Sequence, residues 1–271
     1  MKNLFSRIAV CLTALMLTFQ FTSCQKESLV DDVSNSNQDL LVEVQTATNT
    51  FVENQQSISS PDFKKPKWLK IVIADLGGAL EELINGGDRE SIIIKGALAS
   101  IKSSGLSGLR GNPSGTQVEL NFENSQDFIG EQHYRIISLV SKNPEEVFDG
   151  QDFNYENYLN FVFDHLGLGI DECNVSREKC DCMISSGLLD YVLSDDYSIV
   201  SHLNDIEMLD DVRDLLVEYL TALEGTINTD DFIQYSLVFE ASIIGSDLSS
   251  DSKAILLSNM STARHGVAYW N

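Results

Sequence analysis

Basic residues are scarce in this chain: 18 Lys and Arg stand against 41 Asp and Glu, a formal net charge of −23 over 271 residues. Such a surface repels polyanions, so nucleic acid is excluded as a partner. Beyond residue 24 no apolar run reaches the roughly 20 residues a membrane-spanning helix needs. In the glycine-rich stretch Gly77-Gly78, Gly86-Gly87, Gly96, Gly105 and Gly108, the charges Glu81, Glu82, Asp88, Arg89, Glu90 and Lys95 break every such run, so these are packing or turn glycines. Ready-made hydrolase templates are missing too: no Gly-x-Ser-x-Gly, His-Glu-x-x-His or combined Cys and His signature accompanies any of the four histidines. Apolar content is not lacking, and 43% hydrophobic and 8% aromatic residues belong to a globular chain able to bury a core.

The N-terminus carries the sharpest signal. Lys2 and Arg7 precede an almost uncharged run, Ile8 to Phe21, and Phe21-Thr22-Ser23-Cys24 closes it. A charged start, an apolar centre and small residues before a cysteine make an export signal, here residues 1–23. Acyl chains on Cys24 and its new amino terminus would supply the two or more anchors that stable membrane attachment requires. The expected location is the bacterial outer membrane, with the membrane itself as a partner through the lipid. Gln25-Lys26-Glu27-Ser28 resembles the short charged tag that sends Bacteroidetes lipoproteins to the cell surface.

Charge is unevenly spread. Glu145 to Phe232 holds 22 Asp and Glu against Arg177, Lys179 and Arg213. That segment is either a solvated, mutually repelling surface or a site for a divalent cation or cationic partner. Lysines gather at Lys64-Lys65-Pro66-Lys67-Trp68-Leu69-Lys70, which reads as the basic start of a helix with Pro66 in its first turn, or as an anionic-lipid contact with Trp68 at the interface.

Periodicity points to an all-α fold, an irregular multi-helix bundle ending in an antiparallel three-helix unit. Residues 24–65 read as a polar tether with a weak helix through Leu40, Val44, Ala47 and Phe51. Residues 66–115 read as a helical hairpin, Lys67 to Ile84 and Ser91 to Ser104, closed by a Gly, Ser, Asn and Pro loop from Gly105 to Gly115. The main domain is 116–271. It opens with a short alternating stretch, Val118 to Phe122, of strand character. Ser125 is the expected cap of a helix from Gln126 to Ser141, with Ile129, His133, Ile136, Ile137 and Val140 on one stripe and Asp127, Glu131 and Arg135 opposite. Helices follow at Tyr155 to His165, at Ser176 to Ser185 and at Tyr197 to Leu203. From Ile206 a broad stripe through Leu209, Val212, Leu215, Leu216, Tyr219, Leu220 and Leu223 runs to Gly225. A helix capped by Thr229, apolar nearly all round and so expected at the centre, ends at Gly245, and Ser249 or Ser250 starts the last.

Chemistry has few places to sit. His133, on its apolar stripe one turn beyond Gly130, is the candidate catalytic residue, with a hydrogen-bonded core histidine as the plainer reading. His165, Cys173, Cys180 and Cys182 are candidate zinc ligands, although Cys-x6-Cys-x-Cys fits no standard knuckle and an exported chain can instead pair two of these thiols in a disulfide. Asp149-Gly150-Gln151-Asp152-Phe153-Asn154 looks like a calcium loop but puts Phe153 where an oxygen ligand belongs, and Phe163 stands where a loop begun at Asp152 wants Glu. No cofactor is implied.

Lys65-Pro66-Lys67-Trp68 and Ala74-Asp75-Leu76-Gly77-Gly78-Ala79, followed by Asn124, Asp127, Gly130 and His133, resemble a group of Bacteroidetes lipoproteins. Those pair a Trp- and Gly-rich segment with an Asn-Pro-x-Asp-x-x-Gly-x-x-His-Asn motif. Ser125 here replaces the proline and Tyr134 the second asparagine. The resemblance implies an envelope lipoprotein and supplies no activity. The expectation is a lipid-anchored module that binds an envelope protein or a ligand without catalysis. The alternatives are a hydrolase centred on His133 and a membrane-active effector using the lysine cluster.

Overall fold

Helices dominate, as the periodicity requires. The structure is a computed structural model and describes residues 29–59, 66–84, 87, 89–110, 118–166, 203 and 208–271. Its elements are α1 (Leu29–Ile58), α2 (Lys67–Ile84), α3 (Arg89–Arg110), α4 (Asp127–Lys142), a 3-10 turn η1 (Pro144–Glu146), strands β1 (Phe148–Asp149) and β2 (Asp152–Phe153), α5 (Tyr155–Leu166), α6 (Asp210–Glu224), α7 (Thr229–Gly245) and α8 (Ser250–Trp270). Residues Met1–Asn35 cluster separately from Ser36–Asn271, and the architecture below is that of the second unit. The expected boundaries at 65 and 115 fall inside that unit.

The segment expected to be a tether with a weak helix is one long helix, α1, that contributes to the core. Leu40, Val44, Thr48, Phe51 and Gln55 are buried at spacings of three and four, so one stripe of α1 is covered. Phe51 meets Phe232 and Tyr235 of α7 at centroid distances of 6.3 and 4.7 Å, and Thr48 shares a 2.7 Å hydrogen bond with the Tyr235 hydroxyl. At its end Gln55 clamps the α6–α7 turn: its Oε1 accepts the amides of Ile227 and Asn228 at 2.8 Å each, and its Nε2 donates to Asp231 at 3.1 Å.

α2 and α3 form the expected hairpin and are deeply buried. Val72 to Leu80 and Ser91 to Ile101 are buried without a break, each large aliphatic side chain among them contributing roughly 1.5–3 kcal/mol by leaving water. The loop expected from Gly105 does not begin there: the chain kinks at Gly105, where φ is 60° and ψ 175°, and continues as helix to Arg110, a turn glycine accommodates without a Cβ clash.

Two expected helix starts shift by a residue or more. Ser125 makes no cap. Gln126 occupies the cap position of α4, and the Asn124 side chain accepts the Gln126 amide at 2.9 Å. α7 is capped by Asn228, whose side-chain Oδ1 accepts the amides of Asp230 and Asp231, instead of Thr229. Ser249 caps α8 through the Ser252 amide, and Gly225 closes α6, as expected. Val118 to Phe122 is irregular chain, because the described sheet is only the hairpin β1–β2, pairing Phe148 with Phe153 and Asp149 with Asp152. Gly150, at φ 66°, supplies the positive φ that a two-residue hairpin turn needs, so the calcium-like spelling of that segment is a turn.

The central helix is α8, not α7. Leu256 to Trp270 are all buried, whereas Val238 on α7 is 46% exposed. α8 packs along α4 in the same direction, from Asp127 with Arg264 to Ser141 with Tyr269. It runs antiparallel to α7, from Asn271 with Thr229 to Lys253 with Ile244, and it also packs against α2. A helix with this many hydroxyls can be central because Ser258 and Thr262 return their hydroxyls to the carbonyls of Ala254 and Ser258, and Asn259 donates to Ile255, leaving those groups satisfied within the helix.

Candidate functional site: a buried polar centre and an open acidic cleft

Asn124, just before α4, and Asp127, Gly130 and His133 on it follow one another at intervals of three, and all four are buried. Asp127 therefore does not face outward with Glu131, as the stripe alone suggested. It lies on the α8 side because Arg264, fully buried, reaches it. The Arg264 guanidinium pairs with Asp127 and with Glu240 of α7, donating to Glu240 Oε1 at 3.0 Å and to the Glu119 carbonyl at 3.3 Å. Glu240 also accepts from Asn121 and Asn124 at 2.8 and 3.1 Å, while Asn124 donates to the Leu257 carbonyl. Ser261 closes the set, accepting the Gly130 amide at 3.0 Å and donating to the Asp127 carbonyl at 2.9 Å. This approach requires Gly130, since a Cβ there would stand 2.4 Å from Ser261 Oγ and 2.6 Å from His265 Cδ2.

His265 Nε2 lies 3.5 Å from Asp127 Oδ1. Burial works against ionisation of Asp127, but His265, Arg264 and the Asn121 amide outweigh it and hold its carboxyl well below the usual range. Nearby, burial pushes the Tyr219 phenol well above its ordinary value although its hydroxyl bonds Ser236.

His133 belongs to a second pair. Its Nε2 is 3.6 Å from Oδ1 of Asp75 on α2, with both side chains at most 3% exposed, and neither carboxylate oxygen nor either ring nitrogen makes a hydrogen bond. Gly96 of α3 lets the imidazole in, a Cβ there falling 3.0 Å from Nδ1, and Gly266 of α8 does the same for Asp75 at 3.1 Å. The Ser100 hydroxyl beside this pair accepts the Trp270 indole N–H at 3.1 Å. Burial raises the Asp75 carboxyl above its ordinary value, and His133 and Ser100 offset only part of that. Within the hairpin, Glu82 is satisfied by Lys95 and by Ser91 at 2.8 Å.

The sequence matches no family model and no curated protein, and no solved structure matches the chain. The geometry must therefore supply the function. No hydroxyl or thiol among the described residues bonds His133. Trp68, which would lie at a lipid interface in the membrane-active reading, is 9% exposed and part of the core. Of the candidate metal ligands, Cys173, Cys180 and Cys182 lie outside the described residues, as does Cys24. No group of three His, Cys, Asp or Glu poised to hold a metal occurs among the described residues.

His165 instead lines an open cleft of about 390 Å³ with Asn143, Glu145, Glu146, Asn157, Asn160, Phe161 and Asp164. η1 and α5 bring these together. The imidazole stacks on Phe161 at a centroid distance of 4.1 Å, and its Nδ1 is 2.8 Å from the Phe161 carbonyl, so in the neutral ring Nδ1–H donates there and Nε2 keeps its lone pair. Three carboxylates and three carboxamides around one aromatic stack make a negative, hydrogen-bonding concavity.

Sequence reasoning missed Asp75, Glu240, Ser261, Arg264 and His265. Two signals were available: one acid inside an apolar stretch at Asp75, and an adjacent arginine and histidine next to Gly266 in a helix with no polar face.

Proposed function

We propose that this is a lipid-anchored cell-envelope binding module, held at the outer membrane through Cys24, that takes a cationic group of its partner in the acidic cleft between η1 and α5. The cleft carries the reading. Glu145, Glu146 and Asp164 supply charge, the asparagines supply directional acceptors, and the Phe161–His165 stack offers a flat wall for an ammonium or guanidinium group. A surface binder needs its partner-facing groups in solvent, and the titratable groups of this cleft are exposed whereas those of the polar centre are sealed. Titration of the protein with spermidine tests it. Binding should weaken about tenfold or more in the Glu145→Gln, Glu146→Gln, Asp164→Asn triple variant, and should fall with added salt as exposed charges are screened. Equal binding by the triple variant, or none by the native chain, overturns the proposal.

A further inference from the structure

Of the buried polar atoms without a hydrogen bond, four gather at one seam, two on Asp75 and two on His133. The seam separates the α2–α3 hairpin from α4 and α8. Within the hairpin the buried charge of Glu82 is answered by Lys95 and Ser91. In the α4–α7–α8 assembly Arg264 answers both Asp127 and Glu240, and His265 Nε2, without a hydrogen bond, lies 3.5 Å from Asp127. Across the seam itself, the Trp270 bond to Ser100 accompanies packing on Gly96 and Gly266.

The groups that face Asp75 are few. α4 contributes His133. α3 contributes Gly96 and Ser100, which carry no charge. α8 contributes Gly266, while its neighbours Arg264 and His265 are turned to Asp127. On its own hairpin, Glu82 and Lys95 cancel each other. Asp75 and His133 thus have only one another to balance charge. With one proton between them the pair is neutral in sum. With none, a buried carboxylate stands uncompensated, a state the low-dielectric interior penalises.

We propose that Asp75 and His133 form a proton-operated latch, which seats the α2–α3 hairpin against α4 and α8 while the pair holds one proton and loosens it when that proton is lost. The raised position of the Asp75 carboxyl agrees: a folded state that prefers the protonated acid is stabilised below the ordinary carboxylate range and loses that contribution as pH rises through the raised value. The latch rests on the seam and is independent of the acidic cleft.

Hydrogen exchange of the full chain tests it, read as opening of Val72 to Leu80 and Ser91 to Ile101 relative to the amides of α6 and α7 after correction for intrinsic rates. Between about pH 5 and about pH 9 the ratio should rise about tenfold or more in the native chain and stay flat in Asp75→Asn. A flat ratio in the native chain, or an unchanged rise in Asp75→Asn, overturns the proposal. Should Asp75→Asn fail to fold, carboxyl carbon NMR of the native chain decides. One aspartate titrating above all others, and moving when His133→Gln is introduced, supports the latch; every aspartate titrating in the ordinary range sinks it.

Discussion

Among the described residues, two buried Asp–His pairs have nearly equal separations, 3.6 Å for Asp75 with His133 and 3.5 Å for Asp127 with His265, and the two carboxyls shift in opposite directions. Asp127 adds a guanidinium and a backbone amide and is held ionised. Asp75 adds neither and is pushed toward its neutral form. Distance to the histidine does not decide the electrostatics of a buried acid; the number of other donors around it does.

Removing Arg264 should erase the difference most completely. Arg264→Met strands Asp127 and Glu240 together in the interior, and a loss of about 3–5 kcal/mol is expected in denaturant unfolding, the range for breaking a buried ion pair from one side. A loss under about 1 kcal/mol would mean that the carboxylates find water.

Next in size is Asp127→Asn, expected to cost about 2–3 kcal/mol at neutral pH, as for hydrogen bonds to a charged group. The sign of its pH dependence sharpens the contrast. Asp127 is lowered from its ordinary 3.8, so its stabilisation is present above that value and is lost as pH falls below it. Melting curves of the native chain should therefore drop steeply in acid and those of Asp127→Asn less so. Asp75 works in the other direction, on the alkaline side of the ordinary range.

The smallest effect separates the two close approaches. A methyl at Gly130 meets the Ser261 backbone oxygen at 2.5 Å, whereas one at Gly96 meets a movable imidazole edge at 3.0 Å. Gly130→Ala should cost about 1 kcal/mol more than Gly96→Ala in paired unfolding measurements, and equal costs would place both helix contacts under the same constraint.

How much of this was legible follows from how each residue advertises itself. The bundle, the hairpin α2–α3 and the antiparallel run α6 to α8 were readable, because Leu215, Tyr219, Leu223 and their like repeat at helical spacing. The three-residue spacing of Asn124, Asp127, Gly130 and His133 was also visible, but which side of α4 Asp127 joins depended on Arg264, 137 positions away. α8 was hardest: Ser258, Ser261 and Thr262 look like surface residues until their bonds to carbonyls are known. A polar residue that satisfies itself leaves no periodic trace.

Gln55 fastens α1 to the amides of Ile227 and Asn228, more than 170 positions downstream. A chain emerging from its N-terminus cannot make that fastening until the last third exists, and loop closure over such a span is slow. Helix α1, the first of the described elements, is thus among the last seated. During synthesis the buried stripe of Leu40, Val44 and Phe51 stays without its mate, which postpones completion of the core until Ile227 and Asn228 have been made.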